Sequence, residues 1–247
     1  MRELLLIGIG TGNPDHLTAE GRRAIAEADL ILIPRKGSDK ADLADLRRAI
    51  VGAVLGAVPG HVVEFDMPVR DPALAYRDAV AAWHAEIAGR WAAAIAGAPT
   101  AERVALLVWG DPSLYDSTMR IAAHLDPAPR LRVIPGITAL QALTAAHAIP
   151  LNTVAGAVTL TTGRRLRDSG WPDGGETVAV MLDGECAFQT LDPAGFWIWW
   201  GAYLGMDQQL LRAGPVAEIG GEILRIRAEA RARHGWIMDT YLLRRTD

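Results

Sequence analysis

The sequence predicts an α/β protein made of two α/β domains, the first on a mostly parallel sheet and the second on a mixed one. Three observations carry that expectation. Short uninterrupted apolar runs alternate with amphipathic helical stretches over the first half of the chain, the order that gives a helix-covered parallel sheet. Three of those runs stop at glycine-bearing turns, residues 8–15, 110–113 and 135–139, and open α/β sheets bind ligands beyond the carboxyl ends of their strands. Past Asn152 the texture changes to apolar runs bounded by glycine and proline, with few long helical stretches between them, which suggests strands of both directions.

Half of the 247 residues are hydrophobic, enough for a substantial core. A formal net charge of −4 gives no global pull on nucleic acid or an anionic membrane, so any anionic partner has to be met by a local basic pocket. Cys186 is the single cysteine; it excludes an intrachain disulfide and a multi-cysteine zinc site and fits a reducing, cytoplasmic setting. No metal is implied. The apolar run at residues 4–7 is too short for the core of a signal peptide. No stretch reaches the roughly 18 charge-free apolar residues of a membrane span, so a soluble protein is expected.

Residues 4–9 read as a buried first strand leading into Gly8-Ile9-Gly10-Thr11-Gly12-Asn13-Pro14-Asp15, where glycines permit close backbone approach. A dinucleotide fingerprint would need its third glycine at Asn13, and Pro14 follows, so a nicotinamide site is disfavoured. Thr18 is the expected N-cap of a helix over residues 19–28, and residues 29–33 form a second strand that Pro34 should stop. Arg35 and Lys36 at its end suit either an anionic substrate or a plain solvated loop. Leu43, Leu46, Ile50, Val54 and Leu55 share a helical face, and residues 62–65 form a third strand. Asp71-Pro72 should open a long helix striped by Tyr76, Val80, Trp83, Ile87, Trp91 and Ile95. His84 and Glu86 have a deaminase-like spacing without the accompanying cysteines and are expected at the surface.

Residues 104–109 form the strand around which the chain is organised, ending abruptly in Gly110-Asp111-Pro112-Ser113. A helix around residues 117–125 and a strand at 131–134 lead to Pro135-Gly136-Ile137-Thr138-Ala139. That turn feeds a small-residue helix, with Thr138 either its cap or a ligand contact. In the second half, residues 157–162, 177–182, 196–200, 221–226 and 236–243 are expected strands. The cluster Phe196-Trp197-Ile198-Trp199-Trp200 would serve as core and dimer surface or, alternatively, stack on a planar ligand.

Taken in order, the three loops resemble the tetrapyrrole methylase family. The family's opening Gly-x-Gly-x-Gly-(Asn/Asp)-Pro-x-x-Leu-Thr matches residues 8–18, with Thr11 where many relatives carry proline. Its Gly-Asp-Pro-x-x-Tyr matches residues 110–115, and its Pro-Gly-(Ile/Val)-(Thr/Ser)-(Ala/Ser) matches residues 135–139. Residues 65–71, 199–206 and 234–239 resemble the members that methylate C-1 of precorrin-5 and release the extruded two-carbon unit as acetate in aerobic cobalamin synthesis. The resemblance implies S-adenosyl-L-methionine as methyl donor, S-adenosyl-L-homocysteine as product, a precorrin tetrapyrrole as substrate, and a homodimer. It also implies two α/β domains, residues 1–136 and 137–247, with a cofactor cleft between them.

Carried across by position, the resemblance implies cofactor contacts from Thr11, Trp109, Gly110, Asp111, Leu114, Tyr115, Thr138 and Ala139, and from Met181, Ala202 and Trp236 further on. Methyl transfer from a sulfonium needs alignment and no protein nucleophile. Deacetylation needs a base to activate water and a donor to the developing oxyanion. Asp15, Asp111, Tyr115 and Asp116 lie near expected strand ends, and of these Asp15 as base and Tyr115 as donor are the expected catalytic pair, although capping a turn or filling a wall would also account for each. Lys36, Lys40, Arg47 and Arg70 are candidate clamps for the substrate's carboxylates. A sibling methylase acting at another ring carbon without deacetylation, and a non-catalytic tetrapyrrole carrier, are the competing readings.

Overall fold

A computed structural model describes residues 2–35 and 41–246, which fall in two compact units, Met1–Thr138 and Ala139–Asp247. In the first unit, strands β1 (Glu3–Gly8), β2 (Leu30–Arg35), β3 (Val62–Asp66), β4 (Arg103–Val108) and β5 (Arg130–Ile134) form one sheet in the order β3-β2-β4-β1-β5. Every pairing in it is parallel. The connecting helices are α1 (Ala19–Glu27), α2 (Ala41–Leu55), α3 (Tyr76–Ala96) and α4 (Thr118–Ala122). Leu4, Leu6, Leu32, Val104 and Leu106 pack with Ile87, Trp91 and Ile121 on one face. Leu5, Ile7, Ile31, Ile33 and Leu107 pack with Ile25 and Ile50 on the other. Strands covered on both faces cannot alternate with polar residues, which is why their sequences are unbroken apolar runs.

Helix α1 starts as expected, the Thr18 side chain accepting a hydrogen bond from the Gly21 amide at 3.0 Å. Three local expectations are corrected. Pro34 does not stop β2 but lies within it. The Ile31 amide donates to His61 and the Arg35 carbonyl accepts from Met67, so odd-numbered residues face β3. The proline nitrogen faces the β4 side, where pairing has already ended at Leu32↔Leu106, and no ladder bond is lost. Helix α3 begins at Tyr76, not at Asp71-Pro72; the Asp71 carboxylate accepts from the Ala73 amide at 2.8 Å and holds a preceding turn instead. His84, expected at the surface, is buried. It lies on α3, with its ring edge-on to His124 just after α4 at a centroid distance of 6.5 Å. Glu86 is exposed and pairs with Arg90 one turn on.

The second unit carries β6 (Val158–Thr162), β7 (Thr177–Met181), β8 (Phe196–Ala202), β9 (Leu210–Pro215) and β10 (Asp239–Arg245), ordered β6-β7-β10-β8-β9. The β6–β7 pairing is parallel and the rest are antiparallel, the mixed sheet the sequence predicts. Helices α5 (Ala139–His147), α6 (Gly163–Ser169) and α7 (Val216–His234) complete it. Residues 221–226, expected as a strand, belong to α7. Its buried residues Val216, Gly220, Ile223, Ile226, Arg227 and Ala230 recur at three- and four-residue steps, a helical period. Gly220 is not a breaker there: a Cβ at that position would touch Phe188 at 3.5 Å. In β8 Trp200 is fully buried while Trp197 and Trp199 are half-buried, so the tryptophan cluster is divided between the two faces of the strand.

Candidate functional site

Strands β4, β1 and β5 are neighbours, so the glycine loops leaving their carboxyl ends meet. The Gly110 amide donates to the Gly10 carbonyl at 2.7 Å and the Gly10 amide returns the bond at 3.2 Å. Gly8 and Gly136 lie backbone against backbone. A Cβ on Gly136 would stand 2.1 Å from the Gly110 carbonyl oxygen and 2.7 Å from the Gly8 carbonyl carbon, so no side chain fits. Asp111 ties the loops further, one carboxylate oxygen accepting from the Gly136 amide at 2.8 Å and the other from the Ser113 amide at 2.8 Å and the Ser113 hydroxyl. Burial pushes the Asp111 carboxyl up, but the bonds from the Ser113 hydroxyl and the two amides outweigh it and hold it below the usual carboxylate range. Its oxygens are committed to the loops, which makes Asp111 a main-chain organiser.

Gly110 itself has φ +66°, and a Cβ there would enter space whose nearest atom is the Thr138 Cα at 3.9 Å. The Thr138 main chain therefore lies within van der Waals reach of that position. Thr11 is buried, its hydroxyl 3.1 Å from His16 Nδ1. The Leu114 amide donates to the Asp111 carbonyl at 3.2 Å. Tyr115, the next residue, is exposed and held at φ +50°, a left-handed conformation that a side chain adopts at a cost of about 1–3 kcal/mol. Trp109 is half-buried and packs against the core cluster of Ile7 and Leu107. Ala139 is the first residue of α5.

The other expected site residues are placed differently. Asp15 stands in solvent, its side chain 92% exposed and 4.0 Å from Arg22. Lys36 and Lys40 lie outside the described residues. Arg70 is exposed, with its guanidinium carbon 5.7 Å from the centre of the Trp83 ring. Arg47 borders a cavity of about 210 Å³ beneath the carboxyl ends of β2, β3 and β4, where Phe65, Met67, Trp83 and Trp91 supply much of the apolar wall and Asp116 and Ser117 a polar edge. The Arg47 Nε donates to the Leu107 carbonyl at 3.0 Å and an Nη to the Leu43 carbonyl at 3.2 Å. Burial pushes its pKa down to about 10, with the Asp116 charge acting in the opposite direction.

In the second unit, Met181 ends β7 half-buried, Ala202 ends β8 fully buried, and Trp236 is buried just after α7. The sequence did not point to the polar group built beside them. Arg227 on α7 makes a two-pronged bond to Asp239 at 2.8 and 3.1 Å and donates to the Asp183 carbonyl at 3.0 Å. Tyr241 donates to the Asp183 carboxylate at 2.6 Å and Trp200 Nε1 to Asp239 at 2.9 Å. A cation in step with Val216, Gly220 and Ile223 was the available signal, hidden once that stretch is read as a strand.

Residues 3–220 match the family model of Tetrapyrrole (Corrin/Porphyrin) Methylases. A Sinorhizobium protein, precorrin-6A synthase (deacetylating), is 47% identical, the match covering 99% of this chain and 96% of that one. A solved structure of a cobalamin synthesis related protein from Corynebacterium diphtheriae is 40% identical with a TM-score of 0.85 and full coverage of both chains. Uroporphyrin-III C-methyl transferase from Thermus thermophilus, solved with S-adenyl homocysteine, has the same fold at 17% identity and a TM-score of 0.59, with coverage of 98% of this chain and 96% of that one. The glycine loops joined at the strand ends and a match that runs from the first strand into α7 lead to one conclusion: the chain belongs to the tetrapyrrole (corrin/porphyrin) methylase family.

Proposed function

We propose that this chain is an S-adenosyl-L-methionine-dependent methyltransferase that methylates C-1 of precorrin-5 and releases the extruded acetyl unit as acetate, giving precorrin-6A in aerobic cobalamin biosynthesis. The observation that carries the reading is the 47% identity to the Sinorhizobium precorrin-6A synthase (deacetylating) over nearly the whole of both chains. The main chain brought together at Gly10, Gly110 and Thr138 suits a ligand held by main-chain donors and acceptors. When bound, the cofactor supplies a methyl group already activated by its positive sulfur. What the protein adds is alignment. Thr11, Trp109, Gly110, Leu114, Tyr115 and Thr138 are the contacts we assign to it, and Asp111 positions them by fixing loop shape through Gly136 and Ser113.

Deacetylation needs a base for water and a donor to the oxyanion. Tyr115, an exposed residue of the loop after β4, supplies the hydroxyl donor we assign. Of the carboxylates, Asp116 borders the cavity while Asp15 stands in solvent, which favours Asp116 as base over the Asp15 expected from the sequence. The reading also takes the protein to be a cytoplasmic homodimer; among the described residues no helix is long and apolar enough to cross a membrane.

Incubation with precorrin-5 and methyl-labelled S-adenosyl-L-methionine tests the assignment. The expected result is one methyl incorporated per acetate released, with acetate release by Asp116→Asn lowered about 100-fold or more. Methyl transfer without acetate would make the chain a sibling methylase, and neither product would make it a carrier.

A further inference from the structure

We propose that the cavity beneath the carboxyl ends of β2, β3 and β4 is a carboxylate subsite centred on Arg47, taking the end of a short aliphatic acid. The inference rests on the reading that the chain acts on a carboxylate-bearing macrocycle and releases acetate.

Three features lead to it. The first is size. At about 210 Å³ the space falls below the roughly 300–1,000 Å³ of pockets that enclose whole drug-sized ligands, so a tetrapyrrole ring does not enter it. A group of a few heavy atoms does, since one water takes about 30 Å³ of liquid.

The second is charge. Carbon supplies most of the wall, from Phe65 and Met67 at the end of β3 to Trp83, Ile87 and Trp91 on α3, and into it α2 brings a guanidinium. Two of its N–H groups are used by the Leu107 and Leu43 carbonyls. Among the described residues it forms no ion pair; Asp116 is the charge that acts on it, and that carboxylate already accepts the Thr118 amide at 2.6 Å. A guanidinium presents five N–H donors and pairs two at a time with a carboxylate, so donors remain for an anion. A cation in a largely apolar wall without a bonded counter-charge is costly to leave unmatched.

The third is the chemistry of the donors that remain. The guanidinium N–H groups not taken by Leu107 and Leu43 can only donate. They call for an acceptor-only ligand, and a carboxylate is one.

Two sources provide that chemistry: an acetate or propionate side chain on the substrate, or the acetate released by the reaction. The experiment uses the full chain, as wild type, Arg47→Met and Arg47→Lys. Carbon-13 acetate is titrated and followed by NMR, S-adenosyl-L-homocysteine binding is measured by calorimetry, and KM for precorrin-5 is measured separately from kcat. Acetate that binds wild type, weakens about tenfold or more with Arg47→Met, is partly restored by Arg47→Lys and competes as a product inhibitor supports the subsite with acetate as its occupant. No acetate binding, but a KM raised about tenfold or more in Arg47→Met with kcat retained, supports it with a substrate side chain as its occupant. If acetate does not bind and KM is unchanged in Arg47→Met while S-adenosyl-L-homocysteine still binds, the subsite is overturned and the methyltransferase reading stands. Failure of wild type to bind S-adenosyl-L-homocysteine removes the methyltransferase reading instead, and the acetate titration then judges the cavity by itself.

Discussion

His84 shows how much one side chain can set. It is buried with Nε2 unpartnered, and its pKa lies below 6.5, first through desolvation and then through the positive surroundings of His124, Arg120 and Arg70, with Asp116 opposing. The unfolded chain therefore takes up the proton before the folded one does. The stability owed to neutral His84 is complete above about pH 6.5 and is lost as pH falls through the depressed folded value. Urea unfolding of His84→Leu across pH 5–8 is expected to show a shallower acid-side decline than wild type. At pH 7 the variant should be within about 1 kcal/mol of wild type or more stable, because an unsatisfied buried nitrogen costs about 1–3 kcal/mol. An acid limb as steep as that of wild type would count against this account of the site.

At the scale of elements, α7 is joined to β10 by the Arg227–Asp239 pair, whose side chains are 11% and 7% exposed. Removing one partner of such a pair leaves the other charge buried, at a cost of about 3–5 kcal/mol. Asp239→Asn is expected to lower the unfolding free energy of the full chain in urea by that order, and a loss below about 1 kcal/mol would show that water reaches Arg227. The same region marks where sequence reading fails. Runs such as 4–7 and 104–108 are legible because burial on both faces excludes polar residues. The stretch around Ile223 is not, since a short apolar run flanked by glycine suits a buried strand and a helix equally. β9 is missed because its sequence, Leu-Leu-Arg-Ala-Gly-Pro, is an edge strand with proline and glycine at its end. The glycine loops are legible because main-chain crowding leaves a sequence mark. The cavity is not, because Arg47, Trp91 and Asp116 come from three separate elements.

The molecule as a whole has two units, each with its own sheet. A net charge of −4 gives no long-range pull on a polyanion, so under the proposed carboxylate subsite the attraction comes from Arg47 at short range. If the methyltransferase reading is right, S-adenosyl-L-homocysteine at a hundredfold its Kd is expected to stabilise the full chain by about 2.7 kcal/mol. Chemical unfolding with and without it measures the shift, and an unmoved midpoint would argue against binding. The crowding of Gly8 against Gly136, and of Gly136 against the Gly110 carbonyl, carries a further consequence. The Gly8–Gly136 contact is made of peptide units, with no rotamers to freeze on folding, and neither glycine can be exchanged for a bulkier residue. Variation elsewhere can reshape what the protein accepts, while the seat against which a donor would be aimed stays where the strands put it.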